Sequence, residues 1–245
     1  MTTLATLQRT SKGNYFRAYA LRGQEQLLDP FLGIDHAWMS APTFAPHPHA
    51  SFSAVSYVFL DSETGIENKD SLGNHNLIQP GGLHWAAAGS GIVHEEIPAD
   101  PDMTVHSLQI FVALPPEHRD GPPFALSLEP QDIPVVRLPG AKVRVAAGRF
   151  GQAASPLRPP TEVTLLDVSL DDGAALTVPL AAGHVVIVMP IHGALSVDGQ
   201  LFERDAIKLP VFQPDSSERV LLLQAPQGAA KAMIFAGVPL YPSAT

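Results

Sequence analysis

The chain contains no cysteine. Disulfides, thiolate nucleophiles, thiolate zinc sites and iron–sulfur clusters are thereby excluded together. Charge is scarce too. Charged residues make up 16% of the 245, and 24 acidic against 15 basic side chains leave a formal net charge of -9. No basic stripe appears anywhere in the sequence, so neither direct nucleic-acid binding nor docking to an anionic membrane is expected. No apolar run approaches the ~20 residues that a membrane-spanning helix needs. The segment Met1–Arg9 lacks a basic region followed by an apolar stretch, so no signal peptide is expected and the expected compartment is the cytoplasm.

Long amphipathic helices are missing as well, because 24 Pro and 19 Gly interrupt the chain every few residues. Between them lie short runs rich in Val, Ile, Leu, Phe and Tyr: Tyr15–Leu21, Val55–Leu60, Val105–Ala113, Val143–Ala147, Val163–Leu170, Val185–Met189, Val220–Gln224 and Ala232–Val238. Many short strands joined by turns follow from this pattern, with Asp70–Asn74 and Val197–Gln200 as tight turns. The fold class is all-β. A Pro-rich break from Leu114 to Pro134 reads as an extended surface connector between two halves of similar size. Two β-barrels or sandwiches, spanning 1–130 and 131–245, are the simplest architecture.

Two dyads carry the chemistry: His47-Pro48-His49 and His94-Glu95-Glu96. Residues at i and i+2 of a strand share a face. His47 and His49 therefore point one way together, as do His94 and Glu96, while Glu95 faces the other side. The intervening segment Phe52–Val93 is long enough to form antiparallel strands that return His94 beside His49. Three imidazoles and one carboxylate then converge, a set suited to a divalent first-row metal with open positions. Each dyad alone has a blander reading, as exposed histidines of a Pro-rich loop or as a solvated acidic pair. Their shared geometry favours ligation.

Of the other histidines, His36 reads as a structural residue bonded to Asp35, and His84, out of phase with Trp85, as a pocket-lining candidate. His75 lies in a turn. No partner is assigned to His106, His118, His184 or His192. Gly89-Ser90-Gly91 lacks the third glycine of a phosphate cradle and reads as a turn that places His94. No Gly-x-Ser-x-Gly elbow is present.

The segments Leu28–His36, Pro46–His49, Asp70–Asn74 and Gly89–Pro98 resemble those of the pirin family within the cupin superfamily, in order and in spacing, from about Leu28 to Pro116. The resemblance implies a bicupin of two β-barrel (jelly-roll) domains: a metal-binding cupin over 1–130 and a degenerate cupin without a metal site over 131–245. Carried over by position, the family's ligands fall on His47, His49, His94 and Glu96, with iron (Fe2+) the first choice among divalent metals. The activity implied is dioxygenase cleavage of quercetin or a related flavonol, a small aromatic substrate, with O2. Glu96 would then be both ligand and general base. The alternative is a non-catalytic regulatory protein that binds a transcription factor or metabolic enzyme. Where the family shows Arg-Gly-Phe-Glu after the second histidine, this chain has Ala50-Ser51-Phe52-Ser53, and a metal pocket with smaller and less charged walls is expected.

Overall fold

The computed structural model describes residues 2–241. A seven-stranded sheet runs in the order Phe124–Leu128, Leu83–Ala87, Phe52–Val58, Val105–Ala113, Phe31–Met39, Phe16–Leu21, Gln8–Lys12. Against it lies a four-stranded sheet in the order His47–His49, Ile92–Pro98, Ile66–Asp70, His75–Ile78. These two sheets close the first barrel. A nine-stranded sheet and the small hairpin Arg149–Phe150/Ala153–Ala154 build the second half. No helix is long and apolar enough to cross a membrane among the described residues.

Strand alternation sorts the side chains. On neighbouring strands of the seven-stranded sheet, Val55, Tyr57, Leu83, Trp85, Leu108 and Ile110 turn toward the second half, where they share one apolar core with Leu165, Ile187, Met189 and Phe235. Their intervening neighbours turn into the first barrel. The second barrel is filled by its own aliphatic cluster, including Val143, Val145, Leu166, Val168, Val186, Val188 and Leu223. The first barrel holds only two small clusters, Val58, Ile66, Ile78, Val105 and Ala86, Ala88, Ile92. A cavity is left between the seven-stranded and the four-stranded sheets.

Several expectations are revised. Val220–Gln224 and Ala232–Val238 belong to one long strand, Arg219–Gly237, and Val185–Met189 extends through Pro190 to Val197. Register shifts along their mutual pairing absorb the irregular residues. The segment Leu114–Pro134 is more than a connector: it carries the short helix Pro116–Arg119 and the strand Phe124–Leu128, which pairs with Leu83–Ala87 as a sheet edge. Ser53 does not face the metal side. It lies between Ala87 and Val112 in the register, both in the shared core, and its buried hydroxyl has no partner among the described residues. Ala50 is exposed. Neither substitution from the family pattern therefore borders the cavity.

The halves are also tied by chain crossings. Thr2–Thr6 pairs with Lys208–Phe212 in the second sheet. In the other direction, the Tyr241 amide donates to Asp29 and its hydroxyl to the Leu114 carbonyl, at 2.5 and 2.8 Å.

Polar groups interrupt the shared core at two places. The Tyr57 hydroxyl donates to Asp167 Oδ2 at 2.8 Å, and Lys231 Nζ lies 3.2 Å from the same oxygen. Arg144 donates to Tyr57 Oη at 3.3 Å and to the Gly81 and Pro130 carbonyls at 2.7 and 3.3 Å. Farther along, His36 Nε2 meets His106 Nε2 at 2.7 Å, and His106 Nδ1 lies 3.1 Å from Asp61. His36 was expected to bond Asp35, but adjacent residues on a strand face opposite ways. Its partner lies 70 positions away.

Burial, reinforced by His106, Arg204, Lys231 and Arg17, holds His36 well below the ordinary imidazole value of 6.5. Burial lowers His106 too, against the opposing pull of Asp61. A histidine kept neutral in the fold protonates freely once unfolded, so its contribution is complete above 6.5 and is lost as pH falls below that value. Well below 6.5, and down to its folded value, each such imidazole lowers stability by about 1.4 kcal/mol per pH unit. His36→Asn is expected to flatten the slope by about that amount between pH 6 and 5, read from urea unfolding. Parallel slopes in variant and parent would contradict this assignment.

Candidate metal centre

The strand His47–His49 is the edge of the four-stranded sheet, where Pro48 has no partner strand on its outer side to deprive of an N–H. It pairs antiparallel with Ile92–Pro98, setting His47 opposite His94 and His49 opposite Ile92. The turn at Gly89-Ser90-Gly91 starts that second strand. Gly89 has φ 50°, and a Cβ there would lie 2.2 Å from the Gly121 carbonyl oxygen, so the turn requires glycine.

The three histidines come together as the dyads imply. The three ring centroids stand 4.8 Å apart in every pair, and their ligand nitrogens lie within 4.8 Å of one another. His47 Nδ1 donates to the Ala45 carbonyl at 2.9 Å, which leaves Nε2 with a free lone pair. His49 Nε2 and His94 Nε2 face each other at 2.9 Å. Two neutral imidazoles can hold that contact only by sharing one proton. A cation takes both lone pairs, and ~2.9 Å is the separation of two adjacent octahedral ligands with bonds near 2.05 Å. Burial, then the neighbouring imidazoles, lowers His49 and His94 each to about 4. Both rings are therefore neutral and able to ligate near neutrality. The buried Nδ1 of His94 has no partner among the described residues. The donor set fits a first-row divalent metal.

Glu96 follows His94 on the same face and lines the same cavity, but its carboxylate is turned to Ser56, at 2.7 and 2.8 Å from the hydroxyl. Ser56 also lies 3.0 Å from the Gln109 side-chain amide. A hydroxyl has one proton to give. That proton is shared between the Glu96 carboxylate and Gln109 Oε1, while the Gln109 NH2 group donates to the Val55 carbonyl at 3.4 Å. Burial raises the Glu96 carboxyl above the usual range, and the Ser56 hydrogen bond opposes this. His84 lies inside the barrel one layer behind, between Ser127 at 2.9 Å and Asn68 at 3.4 Å. It supports the polar wall without lining the cavity.

The cavity has a volume of about 280 Å³. Phe16, Met39, Phe44, Ile66 and Phe111 give it apolar walls, and Arg22, Asp35, Ser107 and Gln109 stand among them. A larger cleft of about 460 Å³ opens in the second half beside Arg149, Arg158 and His184. The histidine cluster lies in the smaller one. Arg22, Ser56, Gln109 and Phe111 were not singled out by the sequence reading. Register pairing across 13 to 54 positions brings them in, and no local spacing signals it.

Tandem antiparallel barrels, one with three convergent histidines beside a cavity, define a bicupin able to hold a metal. The family model described as Pirin matches residues 13–112. A Pseudomonas aeruginosa protein provisionally named a quercetin 2,3-dioxygenase is 34% identical over 224 residues, covering 87% of this chain and 76% of that one. Pirin of Mus musculus is 31% identical over 241 residues, covering 91% and 82%. The crystal structure of a quercetin 2,3-dioxygenase from Acinetobacter baumannii superposes with a TM-score of 0.84 at 25% identity, covering 97% of this chain and 86% of that one. This chain belongs to the pirin family.

Proposed function

We propose that the protein is a metal-dependent dioxygenase that cleaves quercetin or a related flavonol with O2, and that it works in the cytoplasm. The observation that supports this most is the placement of three imidazoles at one end of an apolar, aromatic-walled cavity. The resemblance to proteins named for quercetin cleavage agrees with it. In this reading residues 1–130 form the metal-binding cupin, with His47, His49, His94 and Glu96 as ligands of one divalent ion, iron (Fe2+) first. Residues 131–245 form a degenerate cupin that buttresses it through the shared core.

When bound, such an ion supplies Lewis acidity toward an enolic oxygen and a redox-capable centre for reaction with O2. The protein's own groups do the rest. Phe111, Phe44 and Phe16 stack the rings of the substrate and exclude water from them. The Glu96 carboxylate takes the proton of the substrate's enolic hydroxyl on Oε1 or Oε2, since its raised affinity for a proton suits a general base. Ser56 holds that carboxylate between the cavity and Gln109, so the base is aimed before the substrate arrives.

The test is oxygen uptake with quercetin by iron-reconstituted protein beside Glu96→Gln. Uptake in the parent and a loss of about 100-fold or more in the variant is the expected result. No uptake with the metal still bound would overturn the dioxygenase reading in favour of a regulatory protein that binds a transcription factor or metabolic enzyme.

A further inference from the structure

Arg22 follows the strand Phe16–Leu21, and the pairing of Leu21 with Ile34 continues it opposite Gly33. Its guanidinium meets Asp35 edge-on: Nε donates to Oδ1 at 3.0 Å and Nη2 donates to Oδ2. The same plane lies over the Phe111 ring, with Cζ 4.3 Å from its centroid. Phe111 in turn packs against His49 at 5.7 Å between centroids. Two ring steps therefore separate this cation from the histidines, a distance that one aromatic ring substituted at both ends can bridge.

The sequence makes room for this arrangement. A Cβ on Gly33 would stand 2.8 Å from both Cδ and Nη1 of Arg22. Any larger residue there must push the guanidinium off Phe111. The side chain of Arg22 is 37% exposed and that of Asp35 19%, which puts the pair at the mouth of the cavity rather than on its floor. Arg22 is the one arginine or lysine among the described cavity-lining residues. The bonds to Asp35 use Nε and Nη2, so Nη1 lies outside the pair.

We propose that Arg22 determines the specificity of this pocket: held by Asp35 and Phe111 in the space left by Gly33, it receives an anionic oxygen of the substrate through Nη1. This rests on the metal-pocket reading above and narrows the substrate to a flavonol or smaller aromatic compound with metal-binding oxygens at one end and an ionised oxygen, phenolate or carboxylate, at the other. Asp35 neutralises part of the charge, so the preference is moderate. An anionic oxygen still gains a charge-assisted hydrogen bond that a neutral ring lacks. If Arg22 serves only to pair with Asp35, no such preference arises.

The experiment titrates cobalt-loaded protein with catechol and with 3,4-dihydroxybenzoate, followed by the cobalt absorption spectrum. The parent is expected to bind the carboxylate about tenfold more tightly than catechol. In Arg22→Gln the ratio of the two affinities should fall to near one. Gly33→Ala keeps the charge but displaces it and should lower the ratio in the same direction; it also serves if Arg22→Gln leaves Asp35 too exposed to fold, which thermal melting shows. A ratio near one in the parent, or a preserved ratio in both folded variants, overturns the assignment of Arg22 while the metal pocket stands. If neither compound perturbs the cobalt spectrum, the pocket reading fails and this inference falls with it.

Discussion

His94→Ala is expected to weaken metal binding by more than a hundredfold and to abolish metal-dependent oxygen uptake, while the barrel stays folded. His94 is 3% exposed, and its ring stands 4.8 Å from those of both other histidines. Removing it leaves His47 and His49 on a three-residue edge strand with no third imidazole to close the site. Loss of a partner that merely orients a ligand costs 10–100-fold in affinity, and loss of the ligand itself exceeds that. The fold tolerates the change for a reason visible in the same side chain. His94 Nδ1 has no partner among the described residues, and burial disfavours its charged form, so truncation orphans none of their hydrogen-bonding groups apart from His49 Nε2. Metal content after dialysis and circular dichroism together decide the matter. A full metal equivalent retained by the variant would remove His94 from the ligand set.

Arg144→Met is expected to destabilise the protein by about 3 kcal/mol, chiefly by leaving the Gly81 and Pro130 carbonyls and the Tyr57 oxygen without their buried donor. Arg144 is 6% exposed and Asp167 1%. The guanidinium reaches the carboxylate through the Tyr57 hydroxyl, and it also serves two carbonyls. Burial and Asp167 push the Tyr57 phenol well above its ordinary value of 10, and Arg144 opposes them, so the three groups form one electrostatic unit. Methionine fills similar volume but donates nothing. Urea unfolding should show a lowered midpoint at constant slope, with part of the loss recovered in the double variant Arg144→Met/Asp167→Asn. A change below about 1 kcal/mol would mean that the two carbonyls and the Tyr57 oxygen do not depend on Arg144.

The histidine cluster was legible because strand alternation is local. Spacing at i and i+2 places His47 with His49 and His94 with Glu96, and one pairing register then joins the dyads. Spacing gives the face but not the rotamer. Glu96 is on the cavity side, yet its carboxylate lies on Ser56, a residue 40 positions away. The same limit explains His36, whose sequence neighbour Asp35 belongs to the opposite face and pairs with Arg22. All-β architecture followed from Pro and Gly punctuation, but punctuation over-divided the chain. Pro226 and Gly228 lie within a single strand whose register shifts beside them, because a bulge accommodates what a regular ladder rejects. The strand Phe124–Leu128 hid behind Pro122 and Pro123, since an edge strand needs hydrogen bonds on one side only.

The pairing of Thr2–Thr6 with Lys208–Phe212 sets an order on the protein's birth. A chain emerging from the ribosome folds its leading domain first where it can. Here the strand Thr2–Thr6 must wait, unpaired, until some two hundred later residues have been made. Its exposed edge is available meanwhile to any other strand, including that of a neighbouring nascent chain. Tyr241 closes back on Asp29 and Leu114 only at the end of that wait. Maturation of the first barrel is thereby coupled to completion of the second, and a stalled or truncated product leaves an open template for aggregation rather than an independent half.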